Sequence, residues 1–419
     1  MKKKALAIAV GALCVAPAAQ AQIVFGNESI GTVQIYGKLY PQVIYGTSSG
    51  ATSAGTSVST LASPSGVCGT SGSTGGCNGT SNGGRLAVDS QNSYLGFRGE
   101  RNLGSTGLKG IWQLEQSIEI DTGVDSTFSN RNSFLGLAGG FGTVKLGHMD
   151  TIYKEYGQVE SIFGLTSGNF ISPSNVLSHI GVGSNSTARF HERASNTIQY
   201  QTPEFSGFQA GLQYSPDESK NDVGNQLNKE LWSTGVKWEQ GPIYLSAQYE
   251  LHKDFFGGSN NVSSTLSNAA TPGAHSRDTG MRLSASYKFG NHTVGADLAR
   301  LKYSETGQAA GTKFKEYEHV TWAISLESKW GGPWRTAIEW VRGNEGSCKV
   351  TIGDCSTTGL KGDLIGGGVA YDLDKQTFLY FLAAVLNNGD AARYDNWAAS
   401  SVTRGSDVKQ AALGMAYRF

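Results

Sequence analysis

Five cysteines and seven histidines are the residues of this chain best suited to nucleophilic or metal chemistry. Their spacing argues against both. His191 and Glu192 begin a His-Glu-x-x-His zinc run, but Ser195 occupies the second histidine's place. His148, His179, His252, His275, His292 and His319 are scattered, and no G-x-S-x-G elbow stands in a strand-turn-helix setting. There is no EF-hand loop. Neither an enzyme nor a cofactor is expected. Cys68 with Cys77 and Cys348 with Cys355 form two close pairs in Gly/Ser/Thr-rich stretches. Neither pair has zinc-type C-x2-C spacing. In an exported chain the expectation is two loop-pinning disulfides, Cys68–Cys77 and Cys348–Cys355, with a four-thiolate metal site as the competitor.

Export is readable at the start. Lys2, Lys3 and Lys4 precede an apolar run from Ala5 to Ala19 that ends in Ala19-Gln20-Ala21. This is a bacterial secretory signal over residues 1–21, leaving 22–419 as one domain. Cys14 lies inside it with no lipobox. The whole chain balances 34 basic against 34 acidic residues, so nucleic acid is not a partner. Beyond residue 21 nothing reaches the roughly 20 apolar residues of a transmembrane helix. Yet a chain only 38% hydrophobic carries 17 Tyr, 17 Phe and 8 Trp, and these fall in alternating segments.

Val33, Ile35, Gly37 and Leu39 alternate with Gln34, Tyr36, Lys38 and Tyr40, and the same period of two recurs at 243–250, 282–289, 320–327 and 334–340. It predicts about sixteen strands: 31–45, 86–100, 106–120, 129–139, 142–151, 193–202, 206–215, 229–239, 241–254, 278–290, 292–304, 315–329, 332–344, 361–372, 375–387 and 407–418. Short turns alternate with long polar loops near 46–85, 152–192, 216–228, 255–277, 305–314, 345–360 and 388–406. A soluble sandwich alternates as well. Strand number, strand length and charges on the polar face favour a transmembrane antiparallel barrel, closed so that no edge is left. The first loop is almost wholly Ser, Gly, Thr and Ala, the composition of a flexible linker, with a cysteine pair to confine it; a cover over the mouth, a clasp on a neighbouring subunit and a solvated flap are all open to it.

The last strand ends in Tyr417 and Phe419 on its apolar face, the form of a terminal signature read by barrel-assembly machinery. Gly31-Thr-Val-Gln-Ile-Tyr-Gly37, Tyr94-Leu-Gly-Phe-Arg-Gly-Glu-Arg-Asn-Leu-Gly104, Arg131-Asn-Ser-Phe-Leu-Gly-Leu137, Phe141-Gly-Thr-Val-Lys-Leu-Gly-His148 and Asn196-Thr-Ile-Gln-Tyr-Gln-Thr-Pro203 follow in order. Together they resemble the Gram-negative general porins, especially those of β-proteobacteria. The resemblance implies a homotrimer of sixteen-stranded barrels in the outer membrane, among lipid and lipopolysaccharide. It implies a third loop folded inward, and a water-filled channel for passive diffusion of ions and small hydrophilic solutes. It also implies a constriction with a basic side, Lys38, Arg131, His148 and Arg193, facing an acidic side, Asp150, Glu155 and Glu160. Two places depart from the family pattern: His148 and Tyr94 stand where arginine is usual. A substrate-selective channel with a solute-binding site is the alternative reading.

Overall fold

Side chains that alternate in polarity along an extended chain separate onto two faces. Here those faces curve into a closed wall. The computed structural model describes residues 23–27, 31–69, 82–123, 128–157, 162–165, 169–183, 189–218, 227–396 and 402–419. The expected export signal, residues 1–21, lies outside them, as do Cys77 and Glu160. Among the described residues, sixteen antiparallel staves form the barrel. Stave 1 is Gly31–Leu39 continued by Pro41–Ser49, and stave 2 is Asn82–Ser90 continued by Tyr94–Asn102. Staves 3 to 9 are Lys109–Ser117, Ser133–Gly139, Gly142–Asp150, Arg193–Gln201, Phe208–Ser215, Glu230–Gln240 and Ile243–Lys253. Staves 10 to 16 are His275–Phe289, His292–Thr306, Phe314–Lys329, Trp334–Gly343, Gly362–Asp372, Thr377–Asn388 and Asp407–Arg418.

Closure runs through stave 1. Its residues Gln42 to Ser49 pair with Gly414 to Asp407, and Lys38 lies opposite Arg418. Phe419 extends that ladder with backbone bonds of 2.9 and 3.1 Å to Gly37. A Cβ at position 37 would stand 2.8 Å from the Phe419 ring, so glycine there lets the ring lie against the wall. Ile23–Asn27 pairs with Gly31–Ile35, beyond the point where stave 16 leaves stave 1. The breaks in staves 1 and 2 face each other. Pro41 has no N–H for a ladder, and Tyr40 N instead donates to Ser93 Oγ at 2.8 Å.

Long connections gather at one end of the barrel and short turns such as 140–141, 241–242 and 290–291 at the other. This matches the expected alternation and adds 118–132 as the second long-end connection. On the outer face Val43, Leu86, Leu135, Leu283, Ile338 and Leu413 are exposed. Trp330, Trp334, Tyr371 and Tyr417 ring the short-turn end. So large an apolar belt would be an aggregation hazard in water but is the proper face toward hydrocarbon.

The inner face is less polar than alternation alone implies. Stave 15 buries Phe378, Tyr380, Leu382, Ala384 and Leu386 inside while exposing Leu379 and Phe381 outside. The inner set packs against residues from the 151–192 connection, loop 3: Ile162, Phe163, Leu165, Phe170, Ile171, Val176 and Leu177. Burying side chains of this size contributes about 1.5–3 kcal/mol each, which offsets the entropy of ordering a long loop. Loop 3 is thus glued by apolar contacts along staves 12 to 16. It also carries two short helices, Ile152–Tyr156 and Ser174–Leu177, the first resting on staves 7 to 9.

The first loop departs from the linker behaviour its composition predicts. Val58 and Leu61 are fully buried in a cluster with Ile180 and Val182 of loop 3, Leu266, Leu360 and Ala391. Ser59 Oγ donates to Ser356 O at 2.5 Å, Thr52 Oγ1 to Asp390 O at 2.7 Å, and Ser263 N to Leu61 O at 3.2 Å. Its small hydroxyl residues act as backbone-pairing groups in place of solvent-facing spacers. The described part of the loop lies across the mouth of the barrel. Cys348 and Cys355 are disulfide-bonded within a small hairpin, Cα atoms 5.3 Å apart. Cys68 is likewise disulfide-bonded; its expected partner Cys77 is outside the described residues.

Candidate functional site

The inward face of stave 1 presents Gln34, Tyr36, Lys38, Tyr40 and Gln42 in succession. Lys38 Nζ sits 4.6 Å from the Tyr40 ring centroid and 5.4 Å from that of Tyr94. The Arg98 guanidinium lies 4.6 Å over Tyr36, and that of Arg131 lies 4.7 Å over Tyr94. On the other side of stave 1, Arg418 Nε donates to Tyr40 Oη at 2.6 Å. A cation over a phenol ring is stabilised by the ring's negative face without being neutralised. The wall therefore carries Arg98, Lys38, Arg131 and Arg418 interleaved with tyrosines.

Carboxylates in this region are engaged. Tyr36 Oη donates to Glu115 Oε1 at 2.9 Å, and Arg131 Nε lies 3.7 Å from Glu115 Oε2. Asp150 Oδ1 receives Arg193 Nη2 at 2.9 Å and Lys154 Nζ at 3.0 Å. Arg335 Nη2 reaches Asp372 at 2.7 Å and its Nη1 reaches Glu327 at 3.3 Å. Lys38 and Arg418, by contrast, form no salt bridge among the described residues; their contacts are rings, a hydroxyl and a peptide carbonyl.

Of the residues picked out by sequence, Lys38 and Arg131 share this tyrosine-lined cluster. Arg193 and Asp150 pair with each other beside it. Glu155, on the first short helix of loop 3, accepts from Gln201 Nε2 at 2.8 Å. Glu160 lies outside the described residues. His148 is set apart: it follows Leu146 in outward phase, and its Nδ1 lies 3.0 Å from Ser195 Oγ. The pairing of staves 5 and 6 shifts between Gly147 and Met149, and such a bulge re-aims the side chains around it. Sequence reading did not single out Arg98, Arg335, Arg418 or Glu327. Their polar-face phase was the available signal. Within loop 3, burial beside Lys154 and Arg282 holds the His191 imidazole well below its ordinary range, so it is uncharged at neutral pH. Among the described residues no group of three or more His, Cys, Asp or Glu is arranged to hold a metal ion.

Comparison with known proteins agrees with this architecture. A family model for Gram-negative porins matches residues 5–391. The major outer membrane protein P.IB of Neisseria lactamica is 28% identical over 300 residues, covering 64% of this chain and 82% of that protein. The Neisseria gonorrhoeae P.IB protein is 26% identical over 292 residues, covering 62% and 80%. Among solved structures, an anion-selective porin from Comamonas acidovorans superposes with a TM-score of 0.65 at 22% identity, covering 92% of this chain and 99% of that one. OmpT of Vibrio cholerae gives 0.60 at 14% identity, covering 94% and 100%. A sixteen-stave wall, an apolar outer belt, an inward-folded third loop and a family match over most of the chain lead to one conclusion: this chain belongs to the Gram-negative porin family and is an outer-membrane β-barrel channel.

Proposed function

We propose that residues 1–21 are an export signal and that 22–419 form a single barrel domain assembling as a homotrimer. Each barrel passes small hydrophilic solutes by passive diffusion through a constriction between loop 3 and the wall bearing Arg98, Lys38, Arg131 and Arg418. The pore favours anions. One observation carries this preference: within the stave 1 cluster Lys38 and Arg418 have no carboxylate in salt-bridge reach, whereas Glu115, Asp150, Glu327 and Asp372 around it each meet a basic side chain, and the loop acid Glu155 meets Gln201. The residual field in a narrow, partly dehydrated lumen is positive.

Two features support the trimer and its surroundings. Staves 3 to 6 are short, seven to nine residues, against fifteen or sixteen in staves 10 to 12. The outward residues of that low wall, Leu114, Leu135, Leu146 and Ile198, are apolar. Around staves 11 to 14 the outer face instead carries Arg300–Glu318, Lys302–Glu316 and Arg342–Asp363 pairs above the apolar belt. The low wall suits subunit contact, and the charged rim suits the headgroups of lipid and lipopolysaccharide. Tyr417 and Phe419 remain the candidate signature for the assembly machinery.

A specific-solute channel is the second reading, favoured by the ring row Tyr36, Tyr94, Tyr40 and Phe378. Tyr36, Tyr40 and Phe378 are buried and cations cover the row, so the rings serve as a platform for charge and diffusion is preferred. Liposome swelling tests both. Diffusion requires rates that fall smoothly with solute size and do not saturate; saturation by one solute class would overturn it in favour of the binding channel. Chemical crosslinking of the detergent-extracted protein tests the trimer.

A further inference from the structure

We infer that Phe163 is the peg that fixes how far loop 3 reaches into the channel, held by a clasp of Glu327, Arg335 and Arg418 from staves 12, 13 and 16. The inference rests on the reading that loop 3 narrows the pore. Phe163 lies in the short 3-10 turn Ile162–Gly164, is buried, and adopts a left-handed backbone with φ of 52°. A bulky non-glycine residue persists there only when its surroundings over-determine it.

They do so from three directions. The Phe163 N–H donates to Glu327 Oε2 at 2.9 Å. Its carbonyl accepts from Arg418 Nη2 at 2.9 Å. Its ring lies 5.1 Å from the Arg335 guanidinium, which is itself fixed by Asp372 and Glu327 and lies 4.7 Å over Phe378. A one-turn helix leaves backbone donors and acceptors unpaired; here an acid meets the donor and a base meets the acceptor of the same residue. The neighbouring position also fits. Gly164 has φ of 69°, and a Cβ there would stand 2.7 Å from Arg418 Nη2.

The apolar contacts of loop 3 are non-directional, and Leu177 and Phe170 are each tied at the carbonyl alone by a neutral group, Thr321 Oγ1 at 2.7 Å and Asn396 Nδ2 at 2.8 Å. A residue bonded through its N–H, its carbonyl and its ring has one position. Among the described loop 3 residues, Phe163 alone has its N–H and its carbonyl bonded to charged side chains of the wall. That makes it the element that sets the loop's reach. The clasp is a positioning device: it acts on permeation through the loop.

The test uses neutral substitutions, so that loop position changes while lumen charge does not. Phe163→Ala and Gly164→Ala, checked for folding by the mobility of unheated protein on gels, are reconstituted in planar bilayers. The expected result is single-channel conductance altered by about 1.5-fold or more and closure at lower voltage, with an unchanged reversal potential. Arg418→Gln, which breaks the clasp and removes a lumen charge, shifts both. Should one neutral variant fail to fold, the other, or the equally uncharged Phe163→Leu, supplies the reading. Folded variants with unaltered conductance and closing voltage overturn the clasp. Arg131→Gln is the control for the underlying reading: if it too leaves the reversal potential unmoved, the constriction itself is misplaced, whereas a shift with silent Phe163 and Gly164 variants condemns the clasp alone.

Discussion

Arg193 Nη2 lies 2.9 Å from Asp150 Oδ1, and this contact ties the two ends of loop 3 together where it leaves stave 5 and enters stave 6. Asn132 braces both partners, donating to Asp150 Oδ2 at 3.1 Å and accepting from Arg193 Nε at 3.1 Å. Lys154 shares the same carboxylate. Asp150→Asn keeps the shape and removes the charge that balances two cations. The expected outcome is a reversal potential moved toward anions, with the anion-to-cation permeability ratio rising roughly twofold or more. A shift toward cations would contradict the pairing.

Lys38 and Arg131 differ in a way that salt-gradient measurements detect. Lys38→Gln removes one unpaired positive charge from the wall. Arg131→Gln removes a positive charge and also strips Glu115 of its ion-pair partner, leaving the carboxylate with Tyr36. Both variants should move the reversal potential toward cations, and Arg131→Gln should move it further. Equal shifts would show that Glu115 does not face the permeating ions.

His191 makes loop 3 sensitive to acid. Its folded-state value is held below the ordinary 6.5 by burial and by Lys154 and Arg282. A base whose folded value is lowered contributes stability that is present above the unfolded value and lost as pH falls below it. The closed arrangement of loop 3 should therefore be constant above about pH 6.5 and weaken progressively below. Limited proteolysis at graded pH reports this loss. His191→Gln, which cannot take up the proton, should flatten the acid response; an unchanged acid response would assign it to another group.

The Cys348–Cys355 bridge closes a seven-residue separation within a hairpin that extends stave 13 past the wall. In the chain-entropy model a closure this short contributes about 2–3 kcal/mol. Because the hairpin sits beyond the main ladder, replacing both cysteines by serine should expose residues 344–361 to protease while leaving the thermal transition of the barrel within a few degrees. A collapse of barrel stability would show the hairpin to be part of the wall.

Much of the wall was legible because lipid and lumen impose opposite polarity on neighbouring residues, as along Val33 to Tyr40. The predicted boundaries were least accurate in staves 1, 2 and 4, where the ends at 45, 86 and 129 each lie four residues from Ser49, Asn82 and Ser133. In stave 15 both faces are apolar because loop 3 packs inside, and that double-sided run, Phe378 to Leu386, was the sequence trace of an inward-folded loop. His148 shares the phase of Val144 and Leu146, so its outward direction was legible in the alternation; the resemblance to the family, not the phase, put it on the basic side. For loop 1 the sequence left a cover over the mouth and a solvated flap both open, because Ser and Thr serve equally in linkers and in side chain-to-backbone ties such as Ser59 to Ser356. Arg418 and Glu327 were visible as polar-phase residues, but their meeting at Phe163 joins positions far apart in the chain, which only the closed barrel brings together.

The central claim is a channel whose wall charge, after pairing, is positive. Its most direct test is the zero-current potential of the purified protein in a planar bilayer separating unequal potassium chloride solutions. The account predicts stepwise ohmic openings and a potential whose sign marks chloride as the more permeant ion. A cation-selective potential, or no conductance from verified folded protein, would contradict it.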